Sequence, residues 1–291
     1  MFQSIDHLIS LLEETGYFLE RDSATVVYLA WQMKKPLLVE GPAGVGKTEL
    51  AKTLAQVSGR DLIRLQCYEG LDETKALYEW DYQKQLLWIQ AHMQGELEWS
   101  EAKSAIYNEE FLLARPLLKA LLSPQETVLL IDELDKSEEE FESFLLETLS
   151  EYQVTIPEYG TVTATTIPFI IITSNNAREF SEALRRRCFH LYLDFPPPER
   201  ELTILKRRLP FLEEQLGREV INFVQLLRKQ NLKKSPSVAE TLEWAEALVS
   251  LNARALGKDL VQSTMALLLK YREDFQKVAA KLDQLLASGV R

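Results

Sequence analysis

The sequence predicts an α/β protein, a parallel five-stranded sheet between helices, followed by a small all-helical domain. Three observations lead there. Short apolar runs such as "LLVE", "VLLID" and "FIIITS" read as strands covered on both faces. Helical patterns separate them, as parallel strands require crossovers. After Pro196, Pro197 and Pro198 the strand signal stops, because consecutive prolines cannot continue a ladder.

The elements follow in order. Leu37 to Glu40 is the first strand, and Glu49 to Val57 places Leu50, Leu54 and Val57 on one helical face. Leu62 to Cys67 and Val128 to Asp132 are the second and third strands. The stretch "EEEFESFLLETLSEY" then sets Phe141, Phe144, Leu145, Thr148, Leu149 and Tyr152 on one stripe. Phe169 to Ser174 and Phe189 to Phe195 complete the sheet. Everything from Glu199 onward is helical in pattern. There, "SPSVAETLEWAEAL" offers Ser235 or Ser237 as an N-cap, with Glu240 three residues after Ser237 as a capping box. The domain boundary is expected near Phe195, giving residues 1–195 and 196–291.

Between the first strand and its helix lies Gly41-Pro42-Ala43-Gly44-Val45-Gly46-Lys47-Thr48, the spacing of a P-loop. Roughly one unrelated chain in a hundred of this length would carry the bare pattern by accident. The strand before and helix after therefore matter more than the letters. Glycines let the backbone wrap closely, so that N–H groups and the helix N-terminus, with Glu49 in its first turn, face phosphate oxygens. Lys47 would reach the β- and γ-phosphates of ATP, and the Thr48 hydroxyl would ligate Mg²⁺.

Hydrolysis needs more groups than binding. The third strand delivers Asp132 and Glu133 at its carboxyl end, where open α/β sheets bind ligands. Asp132 would hold Mg²⁺ through its waters, and Glu133 would polarise the attacking water as general base. The plain alternative is an acidic strand end facing solvent. Asn175, closing the next strand, would orient that water with an uncharged amide, more so than Asn176; loop-capping asparagines are also common. In "ALRRRC", Arg185, Arg186 and Arg187 form a solvated basic face, an RNA-binding patch, or an arginine finger offered to a neighbouring subunit.

Composition sets limits. The 46% hydrophobic and 26% charged content is that of an ordinary globular protein, and the net charge of -11 disfavours indiscriminate binding to nucleic acid or anionic membrane. No apolar stretch approaches the roughly 20 residues of a membrane span. The N-terminal stretch has acids within its apolar pattern and no basic n-region, so a secretory signal is not expected. Cys67 and Cys188, far apart, make no disulfide framework and fit a reducing cytoplasm. His7, His92 and His190 are scattered, so a bound transition metal is not expected.

The order "GPAGVGKT", "LLIDELDK", "TSNN" and "LRRRC" before a helical lid resembles an AAA+ ATPase. More narrowly, "KPLLVEGPAGVGKTELAKTLA", "LQCYEGLDETKALYEWDYQKQLLWIQ" and "SEALRRRCFHLYLDFPPPER" resemble the MoxR group, in the CoxD-like branch linked to maturation of carbon monoxide dehydrogenase and related molybdenum hydroxylases. The resemblance implies a homo-oligomeric ring, usually a hexamer, hydrolysing ATP at subunit interfaces. Such a ring would remodel a client metalloenzyme beside a von Willebrand factor A domain protein. By position, Lys47 and Thr48 match Walker A, Asp132 and Glu133 match Walker B, and Asn175 matches sensor 1. Arg187 best matches the trans finger, with Arg185 as runner-up.

The segment "VTIPEYGTVTATTIPF" resembles the hairpin preceding sensor 1 in that clade. Where many relatives carry a sensor 2 arginine, this chain has Ser237; either Lys233 or Lys234 takes over the contact, or γ-phosphate sensing by the lid is weak. The resemblance also places an insertion at about 68–110, holding Tyr68, Tyr78, Trp80, Tyr82, Trp88, Trp99 and Tyr107. These aromatics either contact a partner or pack the insertion onto its own domain. Two other function classes compete. A small-molecule P-loop kinase would have no need of Glu133 as base for water or of a trans arginine, and a nucleic-acid motor would be expected to show a basic surface and an added DNA-binding module. A guanine-reading Asn-Lys-x-Asp motif is absent from the sequence.

Overall fold

A computed structural model describes residues 2–92 and 99–289. In chain order the strands are β1 (Leu37–Glu40), β2 (Asp61–Gln66), β3 (Tyr78–Trp80), β4 (Leu112–Ala114) and β5 (Thr127–Asp132). Then follow β6 (Gln153–Ile156), β7 (Gly160–Thr163), β8 (Phe169–Ser174) and β9 (Phe189–Tyr192). The main sheet has five strands in the order β2-β5-β8-β1-β9, every pairing parallel. All positions of β1, β5 and β8 are buried, which is why their sequences are continuous apolar runs rather than alternating, with the polar Glu40, Thr127, Asp132, Thr173 and Ser174 at or next to the strand ends.

The last strand ends earlier than its sequence suggests. Phe189 to Phe195 was expected to be extended, but the ladder stops at Glu40↔Tyr192. Its partner β1 has only four residues and gives way to Gly41, leaving nothing for Leu193 onward to pair with.

One face of the sheet carries a core in which Leu117, Leu118 and Leu121 of the helix Pro116–Leu122 join Phe141, Leu145 and Leu149 of Glu139–Glu151. On the helix Arg21–Gln32, Trp31 packs at 4.7 Å on Phe169 of β8 and under the Arg60 guanidinium. The "VTIPEYGTVTATTIPF" stretch holds an antiparallel hairpin, β6 with β7, its turn carrying Glu158 and Gly160 at positive φ.

The aromatic stretch resolves largely inward. β3 pairs antiparallel with β4. Trp80 is buried between Tyr78 and Tyr107 in edge-on contacts of 5.9 and 5.0 Å, and Trp88 packs against the same core. Tyr68 and Tyr82 stay exposed, and the Trp99 side chain lies outside the described residues.

The chain divides into two compact units. One comprises residues 1–8, 20–40 and 48–192; the other comprises 9–19, 41–47 and 193–291. The second is helical from Pro198 on, with helices Pro198–Arg208, Glu214–Arg228 and Val238–Ser250 around Leu205, Val220, Phe223, Leu227 and Trp244. At its centre Arg228 meets both oxygens of buried Glu201 at 2.7 Å and donates to the Pro236 carbonyl. Residues 9–19 belong here because Arg207 donates to the Glu14 carbonyl and the Tyr17 hydroxyl to the Gly46 carbonyl.

Candidate functional site

The glycine loop is built as its spacing requires. Gly41, Gly44 and Gly46 have φ of 148°, 76° and 101°, a region that side-chain-bearing residues avoid. A Cβ on Gly41 would lie 1.9 Å from the Leu193 carbonyl oxygen, and one on Gly44 would lie 2.2 Å from Ser237 Cβ. Lys47 opens the helix Lys47–Ser58, and its buried ammonium donates to the carbonyls of Gly41 and Pro42 at 2.6 and 2.7 Å. The cation is thus stored across the loop. Hydrogen bonds to carbonyls are weaker than those to a phosphate oxyanion, so an incoming phosphate would outbid them.

Ser237 is the N-cap of Val238–Ser250. Its hydroxyl accepts from Glu240 N–H at 3.2 Å while the Glu240 carboxylate accepts from Ser237 N–H at 2.8 Å, the capping box read in the sequence. Val238 N–H donates to the Gly44 carbonyl at 3.3 Å. The two candidate substitutes are engaged elsewhere: Lys233 pairs with Glu273 and Lys234 with Glu240.

At the strand ends, three side chains meet on Asp132. Its Oδ1 accepts from Thr48 Oγ1 at 2.9 Å and from Thr173 Oγ1 at 2.6 Å, and its Oδ2 from Arg64 Nε at 3.0 Å and Nη2 at 2.5 Å. The carboxylate is almost fully buried. Glu133 follows in the left-handed region, φ 58° and ψ 49°, a costly conformation for a non-glycine residue that turns its side chain out of the strand. Its N–H donates to Thr173 Oγ1, while its carboxylate accepts from Gln66 at 2.8 Å, Lys136 at 2.6 Å and Asn175 Nδ2 at 3.3 Å. Burial alone would raise the Glu133 carboxyl, but the Lys136 and Asn175 contacts outweigh it and hold it below its ordinary value. Glu133 is therefore an ionised carboxylate at neutral pH, in reach of an amide that can orient a water.

The structure brings Thr48, Asp132, Glu133 and Asn175 together. It sets the arginines apart from them in different ways. Arg185 lies 3.4 Å from buried Glu40, which also receives His190; Arg186 pairs with Glu182 in solvent; Arg187 donates to Ser150 Oγ and, at 2.9 Å, to the Ala183 carbonyl.

Five neighbours escaped the sequence reading: Arg64, Gln66, Lys136, Thr173 and Asp135. Asp135, buried, fixes the Asn175 turn by accepting from the N–H groups of Asn175 and Ala177, both at 3.1 Å. A faint signal existed for two of them. Arg64 and Gln66 are two apart on β2 and so share a face, and Gln66 sits in register with Asp132. The negative character of the cluster shows at Cys67, whose thiol is pushed up to about 12 by burial and by Asp132, Asp135 and Glu133.

The oxygen donors suit Mg²⁺: a hydroxyl and a single carboxylate match a small hard cation that keeps several waters. A glycine loop leading into a lysine-headed helix, with a strand-end aspartate bonded to the following threonine, on a parallel sheet, defines a P-loop NTPase.

Residues 36–188 match the AAA domain (dynein-related subfamily), and the chain belongs to that family. It is also 25% identical over 261 residues to an uncharacterized protein of Staphylococcus epidermidis, covering 88% of this chain and 91% of that one. Uncharacterized proteins of Staphylococcus saprophyticus (23% identity, 87% and 90% covered) and Staphylococcus aureus (24%, 76% and 78%) are similar too. Family membership supports ATP-driven activity and nucleotide binding and points to oligomeric assembly. Among the described residues no helix is long and apolar enough to cross a membrane.

Proposed function

We propose that this protein hydrolyses ATP as a homo-oligomeric ring, a hexamer, and works as a chaperone-like remodeller of the MoxR kind in the cytoplasm. The observation that carries the reading is the convergence of Thr48, Asp132, Glu133 and Asn175, with Glu133 ionised. A kinase transferring phosphate to a small acceptor has no need of Glu133 as a base for water.

Lys47 leaves its own loop carbonyls to bind the β- and γ-phosphates. Thr48 and Asp132 would hold Mg²⁺, which would screen the phosphate charge when bound. Glu133 takes a proton from the water that Asn175 aligns. Arg187 exchanges its Ser150 and Ala183 partners for a neighbouring subunit's phosphate, where its guanidinium stabilises transferring charge. Loss of the γ-phosphate releases these contacts, and residues 196–291 serve as the lid whose shift delivers work.

A protein partner has a surface to meet. The helix Tyr82–His92 exposes Tyr82, Leu86 and Ile89 at helical spacing, with Leu87 beside them. The family resemblance supplies the partner classes: a von Willebrand factor A domain protein and a metalloenzyme client of the CoxD-like branch.

ATPase rate per subunit measured across protein concentration, with particle mass at each point, tests the reading. A steep rise that coincides with assembly and is missing in Arg187→Ala is the expected result. Flat activity from a monomer would remove the shared site and bring the kinase reading forward.

A further inference from the structure

The Asp132 carboxylate has two oxygens and about four lone-pair sites. Thr48 and Thr173 fill those of Oδ1; the Nε and Nη2 of Arg64 fill those of Oδ2. A carboxylate that must accept from a metal-bound water needs one of these back. The donors differ in how easily they yield. Thr173 is buried on β8 and also accepts from Glu133 N–H. Thr48 can keep its O–H on Asp132 while its oxygen lone pair ligates a metal. Arg64 is half-exposed, on a long side chain reaching from β2, so it can swing toward water at small cost.

We propose that Arg64 is the resident counter-cation of Asp132, and that Asp132 can serve a metal only when Arg64 yields Oδ2. Arg64 is then a positioning residue that sets the Mg²⁺ concentration at which nucleotide is held. The physical reason is competition between cations for one buried charge. Without Arg64 or a metal, Asp132 would be a buried carboxylate with no positive partner, which is costly. With both, two cations crowd one carboxylate. The fold resolves this by making one of them movable.

The inference has a second consequence. Arg64 Nη2 also donates to Gln66 Oε1, and Gln66 in turn holds Glu133. Withdrawal of Arg64 therefore reaches the Glu133 carboxylate through one side chain, and the metal's arrival is sensed at the base.

The proposal rests on the reading that this site holds Mg²⁺ and nucleotide, and the test separates the two. Mg²⁺ is titrated into the full-length chain at fixed, subsaturating mant-ADP, with an EDTA control, for wild type, Arg64→Met and Arg64→Lys. With its competitor gone, Arg64→Met is expected to reach half-maximal fluorescence at about three- to tenfold lower Mg²⁺. Its signal in EDTA should match wild type. Arg64→Lys, which keeps the charge but loses the fork, should fall between the two. The rise in melting temperature on adding Mg²⁺ and ADP should likewise be larger in the methionine variant.

A midpoint unmoved or raised in Arg64→Met overturns the inference and leaves nucleotide binding standing. Should that variant fail to fold, an unmoved midpoint in Arg64→Lys does the same. Absence of mant-ADP binding by wild type in both Mg²⁺ and EDTA overturns both readings.

Discussion

Gln66 Nε2 donates to Glu133 Oε2 at 2.8 Å, joining the end of β2 to the residue just past β5. A neutral amide on a carboxylate that must take a proton from water acts as a restraint. Replacing it with leucine removes one of the two donors on Oε2, leaving Lys136 there, and basal ATP hydrolysis is expected to rise by about threefold in Gln66→Leu. Phosphate release under substrate saturation measures this; a fall would show that Gln66 aims the base rather than restraining it.

Glu133→Gln preserves shape and removes proton-accepting power. Turnover is expected to drop by about 10² to 10⁴-fold with nucleotide affinity retained. Lys47→Ala, by contrast, should lose affinity itself. Comparing fluorescent-nucleotide titrations with single-turnover hydrolysis separates these effects.

The pH dependence follows from the contacts on Glu133. Its folded carboxyl lies below the ordinary value, so its proton-accepting form is present above that range and is lost only as pH falls through it. Lys136→Met removes a cation 2.6 Å away and lets burial raise the carboxyl. The acid limb of hydrolysis should therefore move upward, and the variant-to-wild-type ratio should decline as pH falls toward and through the ordinary carboxylate range. A constant ratio would mean that Glu133 does not titrate in the rate-limiting step.

Gly41 and Gly59 both have positive φ, yet they differ in surroundings. Around Gly59 a Cβ meets nothing within 4 Å, so Gly59→Ala should cost about 1 kcal/mol from backbone conformation alone. Gly41→Ala drives a methyl into the Leu193 carbonyl as well and should cost about 3 kcal/mol or more. Urea midpoints of the two variants give the comparison.

In the helical unit, Arg228→Met leaves buried Glu201 without its cation, an expected loss of about 3 to 5 kcal/mol. The double variant with Glu201→Leu should recover most of it. If it recovers nothing, the pair's value lies in packing, such as Arg228 over the Phe195 ring.

The sequence by itself determined the sheet's strands, the loop, and most of the side chains proposed to touch phosphate, metal or water. The reason is that each is written locally. A fully buried strand must be largely apolar, a loop at positive φ needs glycine, and a capping box needs a serine and a glutamate three apart. Ser237 with Glu240, and Asp132 with Glu133 after "VLLI", could be found in this way.

Only the tertiary structure decided what surrounds them. Arg64 lies 68 positions from Asp132, and Asn175 lies 42 from Glu133; parallel register brings such residues together, and no local pattern encodes register. The left-handed turn at Glu133 is likewise invisible in composition, since glutamate ordinarily avoids it. So is the fate of the aromatic stretch. The side chains of Trp80 and Tyr82 sit two residues apart, and whether each faced the core or the solvent was fixed by the pairing of β3 with β4 and by the helix that follows.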